Sequence, residues 1–203
     1  LRDVLEAGCG GGAGIAYVLE RFGPRSATGL DLAAGAIRRA RARYGRARLR
    51  FVAGDAERLP FGDGTFDAVL SVESTHCYAD TPRFLREVRR VLRPGGVLLL
   101  ADFRHTVLPP GAERAAVRQD DVAALRHQIG SSGLRVVEEE DITTHVVRAL
   151  ELDTPRRRAR IERRVPRPLR RHALAFVAIE GSPMHRAFAE RRWTYLRFVA
   201  ERP

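Results

Sequence analysis

Lysine is absent: all 36 basic residues among the 203 are arginine. Against 25 acids they leave a formal charge of +11, a balance that would suit nucleic acid or an anionic surface. One-sided arginine usage beside abundant alanine and glycine reads instead as a base-composition bias of the genome. Aromatic residues are also scarce, at 7%, and do not interleave with the arginines, which argues against a platform for stacking single-stranded bases. Nucleic acid is therefore not the expected partner. No apolar run approaches the roughly 18 residues that span a bilayer. No segment reads as a signal peptide, although the sequence starts at Leu1 rather than Met. The two cysteines, Cys9 and Cys77, form no metal-ligand spacing and read as reduced, cytoplasmic thiols. What is present is 44% hydrophobic content, enough to bury one core in a single domain.

Short apolar runs alternate with amphipathic segments of helical period. Val4–Leu5 ends a first, buried strand, and residues 14–22 form a helix with Ile15, Val18, Leu19 and Phe22 on one face. Strands are expected at 27–31, 49–55 and 66–72, with a helix at 33–45 closing on Gly45 as a left-handed cap. Asp80 or Thr81 caps a further helix, Pro82 suits its first turn, and Phe84, Leu85, Val88, Val91 and Leu92 line one face. Pro94-Gly95-Gly96 turns that helix into a fifth strand, "VLLLADF", apolar on both faces. A helix at 120–133 and a strand at 134–143 follow. Such alternation, with continuously apolar strands, predicts an α/β fold: a parallel sheet covered by helices on both sides. The pattern changes at Thr144 into an arginine-rich segment broken by Pro155, Pro166 and Pro168. Residues 144–192 read as an inserted helical cap on a 1–143 core, and 193–203 as the returning last strand.

The stretch "VLEAGCGGGAG" places five glycines within residues 8–14, at the carboxyl end of strand one, where open parallel sheets bind ligands. Gly8, Gly10 and Ala13 satisfy the loose dinucleotide pattern, so an NAD(P)-dependent oxidoreductase has to be weighed. Asp31 closes strand two, where its carboxylate can take both hydroxyls of a ribose, with NAD or without. Asp55 and the Ala56 backbone, closing strand three, are placed to read an amino-substituted purine edge. Glu6, two residues ahead of Gly8, discriminates: a carboxylate there repels a pyrophosphate yet can order the ammonium of an amino acid.

"VLEAGCGGG", "GLDLA", "GDAERLPF", "FDAVLSVESTHCY" and "VLRPGGVLLLADF" resemble, in order, the motifs of the class I S-adenosylmethionine-dependent methyltransferases, over about residues 4–103. The chain is similar to small-molecule O-methyltransferases of secondary metabolism, both the phthiotriol/phenolphthiocerol dimycocerosate type and the rebeccamycin sugar type. The resemblance implies a Rossmann-like, doubly wound, mostly parallel seven-stranded sheet and S-adenosyl-L-methionine as cofactor. It implies that Gly8, Cys9 and Gly10 contact the methionine moiety, Asp31 the ribose and Leu32 the adenine. Asp55 and Ala56 would then define the adenine pocket, and Ser71 would close its floor. Such enzymes carry helices ahead of strand one, so these lid helices are expected to be missing from the sequence given.

Methyl transfer to a hydroxyl needs alignment of nucleophile, methyl and sulfur, and removal of a proton. His76, after strand four, is the expected base; Asp102, ending strand five, orients it or binds substrate, roles the similar sugar enzymes imply. Glu73 and His105 are secondary candidates. No metal is expected. Methylation at carbon or nitrogen, or of RNA, are the alternatives within the family. The cap's arginines read as a solvated face; the alternative is a basic amphipathic surface recruiting a lipid or acyl-carrier substrate. The expected molecule is a cytoplasmic monomer or homodimer acting on a small molecule, with peripheral lipid contact as one option.

Overall fold

The computed structural model describes residues 2–107 and 121–203. Its strands are β1 (Asp3–Ala7), β2 (Ser26–Asp31), β3 (Leu49–Ala53), β4 (Phe66–Val72), β5 (Leu92–His105), β6 (Arg135–Asp141) and β7 (Trp193–Glu201). They form one sheet in the order β3-β2-β1-β4-β5-β7-β6. β7 runs antiparallel to both neighbours, and the remaining pairs are parallel. The order reverses between β1 and β4, which opens a crevice at the carboxyl ends of these strands.

The helices are α1 (Ala13–Phe22), α2 (Ala34–Tyr44), α3 (Thr81–Val91), α4 (Val122–Ser131), α5 (Thr143–Arg164), α6 (Arg170–Phe176) and α7 (Pro183–Ala189). Strand periodicity separates two buried layers. On one face, Val4, Ala27, Phe51 and Ala68 meet Ile15 and Leu19 of α1 and Ile37 and Ala40 of α2. On the other, Leu5, Leu30, Val69, Leu98, Leu100 and Phe198 meet Phe84, Leu85 and Val88 of α3 and Leu125 of α4. α3 is fixed at its start by Asp80, whose side chain accepts from Arg83 N at 2.8 Å, and Pro82 follows in the first turn.

Several local expectations are corrected. Gly45 does end α2, but with φ −57° rather than in the left-handed region; the need for glycine is steric, since a Cβ would stand 2.5 Å from the Arg41 carbonyl oxygen. Phe22 leaves the buried face of α1 and is exposed, edge-on to Tyr17. Strand three stops at Ala53, and the strand before α5 at Asp141. Asp121 caps α4 by accepting from Ala124 N; Asp120, the expected first residue of that helix, lies outside the described residues. Pro155 does not interrupt its helix: α5 continues through it, with Thr154 Oγ1 bonded to the Leu150 carbonyl, and ends ahead of Pro166. Between β6 and β7 the chain is helical, and α7 joins Leu150 of α5 and Tyr195 of β7 in a third apolar cluster.

Candidate active site

The glycine loop joins β1 to α1 by a tight descent. Gly8 and Cys9 both donate their amides to the Leu30 carbonyl, at 2.8 and 2.9 Å, which folds the loop toward β2. Gly8 has φ +77°, and a Cβ there would lie 2.4 Å from Ser74 Cβ, so the position demands glycine twice over. Gly10 donates to Asp31 Oδ2 at 2.8 Å, while Asp31 Oδ1 accepts from Ala33 N. Each Asp31 oxygen keeps a second lone pair for a ligand hydroxyl. Around Gly10 a Cβ would meet nothing within 4 Å, leaving the backbone open to close approach.

α1 has no side-chain cap of its own and no acid in its first turn. Glu6 supplies that function from β1: its Oε2 accepts from Ile15 N at 2.8 Å, beneath Gly14. Burial, offset by that amide bond and reinforced by the charge of Asp31, pushes the Glu6 carboxyl up to about 7. Among the described residues no arginine hydrogen-bonds into the loop. Two carboxylates and open amides fit a ligand bearing an ammonium, a carboxylate and ribose hydroxyls, and oppose a pyrophosphate.

The remaining residues expected around this ligand are distributed as follows. Cys9 turns its side chain into the core beside Gly29, and burial pushes its thiol up to about 12; only its backbone faces the loop. Leu32 is exposed beyond Asp31. Asp55 caps a 3₁₀ turn, Ala56–Arg58, by accepting from Glu57 N at 2.8 Å, and Ala56 is buried beneath it. Ser71 is fully buried and bonds Ser74 Oγ at 2.8 Å; Ser74 in turn reaches the Ala7 carbonyl. The β4 terminus is thereby stitched to the glycine loop.

A second 3₁₀ turn, Thr75–Cys77, carries His76. His76 Nδ1 lies 2.8 Å from Asp102 Oδ1, and its own amide donates to Asp102 Oδ2 at 3.0 Å. Asp102 is 1% exposed and also accepts from Thr75 Oγ1 at 2.5 Å and from Phe103 N at 2.9 Å. Arg104 Nη1 stands 3.3 Å away, and Arg104 Nη2 donates to Thr75 Oγ1. Burial alone would raise the Asp102 carboxyl, but His76, Arg104 and Thr75 outweigh it and hold it at about 2. The imidazole lies against Phe103, 4.5 Å between centroids, and Phe103 stacks on Trp193 and meets Phe188 edge-on. Glu73 adopts φ +48° and accepts from the Tyr195 hydroxyl at 3.1 Å.

His76 and Asp102 are thus brought together. His105 is not part of that pair: it sits on the opposite face of β5, edge-on to Trp193. His185 pairs with Glu151, and His127 approaches Ser131. Thr75, Arg104 and the aromatic wall escaped sequence reasoning. A signal existed for Arg104: Leu98, Leu100, Asp102 and Arg104 alternate along β5, so a charged pair continues the buried face. Among the described residues no group of three His, Cys, Asp or Glu side chains is arranged to hold a metal, and no helix is long and apolar enough to cross a membrane.

A family model described as a methyltransferase domain matches residues 5–100. A probable phthiotriol/phenolphthiotriol dimycocerosates methyltransferase of Mycobacterium ulcerans is 38% identical over 182 residues, covering 90% of this chain and 66% of its own length. A fatty-acid O-methyltransferase of Mycolicibacterium smegmatis is 39% identical over 191 residues, 94% of this chain and 63% of that protein. The chain therefore spans slightly less than two thirds of the length of these relatives. Among solved structures, a Haemonchus contortus phosphoethanolamine N-methyltransferase in complex with S-adenosyl-L-methionine superposes with a TM-score of 0.81 at 21% identity. That superposition covers all of this chain and 49% of the other.

Proposed function

We propose that this chain is a class I S-adenosylmethionine-dependent methyltransferase, as the matching methyltransferase-domain model and its relatives support, and that it transfers the methyl group to a hydroxyl of a small, lipid-like acceptor. The relatives named for phthiotriol and for fatty acids support a lipid-like acceptor and methylation at oxygen. The observation that carries the reading is the His76–Asp102 pair, on a turn whose preceding residue, Ser74, is bonded to the Ala7 carbonyl at the head of the glycine loop.

S-adenosylmethionine, when bound, supplies a methyl on a cationic sulfur, a leaving group that requires no acid. The chain's residues supply position and a proton acceptor. Glu6 would hold the ammonium, the Gly8–Gly10 backbone the methionine portion and Asp31 the ribose. Leu32, Asp55 and Ala56 would border the adenine, with Ser71 supporting the floor. Asp102 accepts a hydrogen bond from His76 Nδ1–H, which fixes the tautomer whose Nε2 accepts a proton from the acceptor hydroxyl. The imidazolium so formed stays paired with a buried anion. Thr75 and Arg104 are positioning residues that keep Asp102 ionised and in place. Phe103, Trp193 and Phe188 offer an apolar wall beside the imidazole for an acyl or aromatic acceptor. The unpaired cysteines, Cys9 and Cys77, suit a reducing cytoplasm. All these groups come from one chain, which suits a monomer or a homodimer.

The test is transfer of radiolabelled methyl to a panel containing a hydroxylated long-chain lipid, a fatty acid, a glycoside and an amine. Label on the hydroxylated lipid, lost by His76→Gln, agrees with the reading. Label on the amine alone, unaffected by His76→Gln, contradicts it.

A further inference from the structure

Several arginines packed along the sheet and α3 are neutralised. Arg90, Arg93, Arg126, Arg135 and Arg197 each hold a carboxylate at 2.5–2.8 Å. The second half of α5 departs from that rule. Arg160 and Arg164 find no carboxylate among the described residues, and Arg156 reaches Asp153 only at 3.6 Å, where Arg157 Nε already lies at 2.6 Å. Spaced by four, Arg156, Arg160 and Arg164 share one stripe of the helix. With Ile161, Val165 and Val177 they border a groove of about 450 Å³. Residues 156–171 hold nine arginines against Glu162 alone, a net +8 within a chain of +11. Leu152 and Leu169 stand 73% and 57% exposed at either end of this surface. A genomic preference for arginine accounts for the residue type; it does not account for weakly compensated charges aligned along an apolar groove.

We propose that α5 and the turn following it form a docking face for an anionic phospholipid bilayer. Arg156, Arg160 and Arg164 meet lipid phosphates, and Leu169 enters the outer acyl region. The inference rests on the reading of a lipid-like acceptor given above. A bilayer fits this face better than nucleic acid does. The groove floor is apolar, leucines are exposed at both ends, and residues 152–174 contain no Phe, Tyr or Trp to stack on a base. The face is also continuous with the site: Leu150, earlier on the same helix, packs with Phe188 and Tyr195 in the cluster that includes Phe103 beside His76. Docking there would bring membrane-held acceptors to the aromatic wall.

Flotation of the protein with vesicles of phosphatidylcholine alone, or with 30 mol% phosphatidylglycerol, tests this without turnover. Binding is expected only to the anionic vesicles, weakening as salt rises. The triple variant Arg156→Gln/Arg160→Gln/Arg164→Gln is expected to lose on the order of 100-fold in affinity, from about fivefold per arginine. An equal change in charge among paired arginines, Arg126→Gln/Arg135→Gln/Arg197→Gln, should cost far less. Leu169→Asp, which removes no arginine, is expected to weaken binding as well. Binding of S-adenosylhomocysteine reports that each variant remains folded. No enrichment on anionic vesicles, equal losses in both triples, or an RNA hairpin outcompeting the vesicles at the same salt would each overturn the proposal. Vesicle binding without methylation of any lipid would instead refute the acceptor reading and leave the docking face standing.

Discussion

His76 and Asp102 lie 26 residues apart in sequence and 2.8 Å apart in space, yet substituting them should have different consequences. His76 is partly exposed and hydrogen-bonds mainly to Asp102, so His76→Gln should keep the fold and cofactor affinity while kcat falls roughly 10²–10⁴-fold. Asp102→Asn strikes stability too, because it leaves the buried Arg104 without its counter-charge; a loss on the order of 3 kcal/mol is expected in denaturant titration. Equal stability of the two variants would contradict the assigned roles. Glu6 gives a second prediction. Its folded pKa, about 7, lies above the ordinary carboxyl value of 4.5. The stabilisation it confers is therefore complete below pH 4.5 and disappears as pH rises through 7, reaching about 3 kcal/mol of lost stability above that. A ligand ammonium favours the ionised form, so binding of S-adenosylhomocysteine should expel a proton below pH 7. Affinity should accordingly climb up to tenfold per pH unit and level off above 7. Calorimetry in buffers of different ionisation enthalpy would read the proton, and Glu6→Gln should remove both the release and the slope.

Elements whose signals are local were legible before the fold was known. The glycine loop, Asp31 at the end of β2 and Asp80 with Pro82 at the head of α3 each depend on residues a few positions apart, and each is where the sequence reading put it. What escaped depends on register across the sheet. Arg104 matters because β5 extends to His105 against β7 and continues the buried alternation of Leu98 and Leu100; the motif reading stopped at Phe103. Pro155 reads as a breaker, but a long helix tolerates it because it removes a single backbone bond while Leu150 and Ile161 stay buried on either side. Gly45 shows the reverse: a correct boundary reached for the wrong reason, close approach to Arg41 rather than left-handed backbone. At this scale the junction between the glycine loop and the Thr75–Cys77 turn is most sensitive. Gly8→Ala forces a Cβ to within 2.4 Å of Ser74 Cβ at φ +77°, and Ser74 cannot yield without pulling His76. Cofactor binding and turnover should therefore both collapse. Gly130→Ala, in a helix with open space at that position, should be near neutral or slightly stabilising. Matched melting curves and S-adenosylhomocysteine titrations of the two variants would check the contrast.

For the molecule as a whole, the two ends of the sheet carry opposite electrostatic arrangements. The carboxyl ends gather Glu6, Asp31 and Asp102 around the crevice. At the amino ends Asp3 links β1 to Arg25, just ahead of β2, to Ser26 of β2 and to Arg93 of β5, while Asp67 of β4 accepts the amides of Arg2 and Asp3 and pairs with Arg93 at 2.8 Å. Hydrogen bonding to Arg25, against the opposing effect of burial, holds the Asp3 carboxyl at about 2. Asp67 is lowered as well, the amides and Arg93 together outweighing burial. Asp102 at the other end also rests at about 2. For Asp3 and Asp102 the contribution is complete above about pH 4 and is lost as pH falls toward 2, and Asp67 adds to it with the same sign. For buried Asp102 the loss is about 2 kcal/mol. Losing these carboxylate charges makes a chain already at +11 more positive, and its arginines repel one another. Acid unfolding should therefore be steep and concentrated between pH 4 and 2, with the strand ends released together. Near-ultraviolet circular dichroism of Trp193, which reports the β5–β7 end, should lose its signal in step with the far-ultraviolet transition. In Asp102→Asn the midpoint should shift less with pH over that interval, because one of the titrating groups is gone; an unchanged pH slope would show that the buried pair does not contribute to the acid transition.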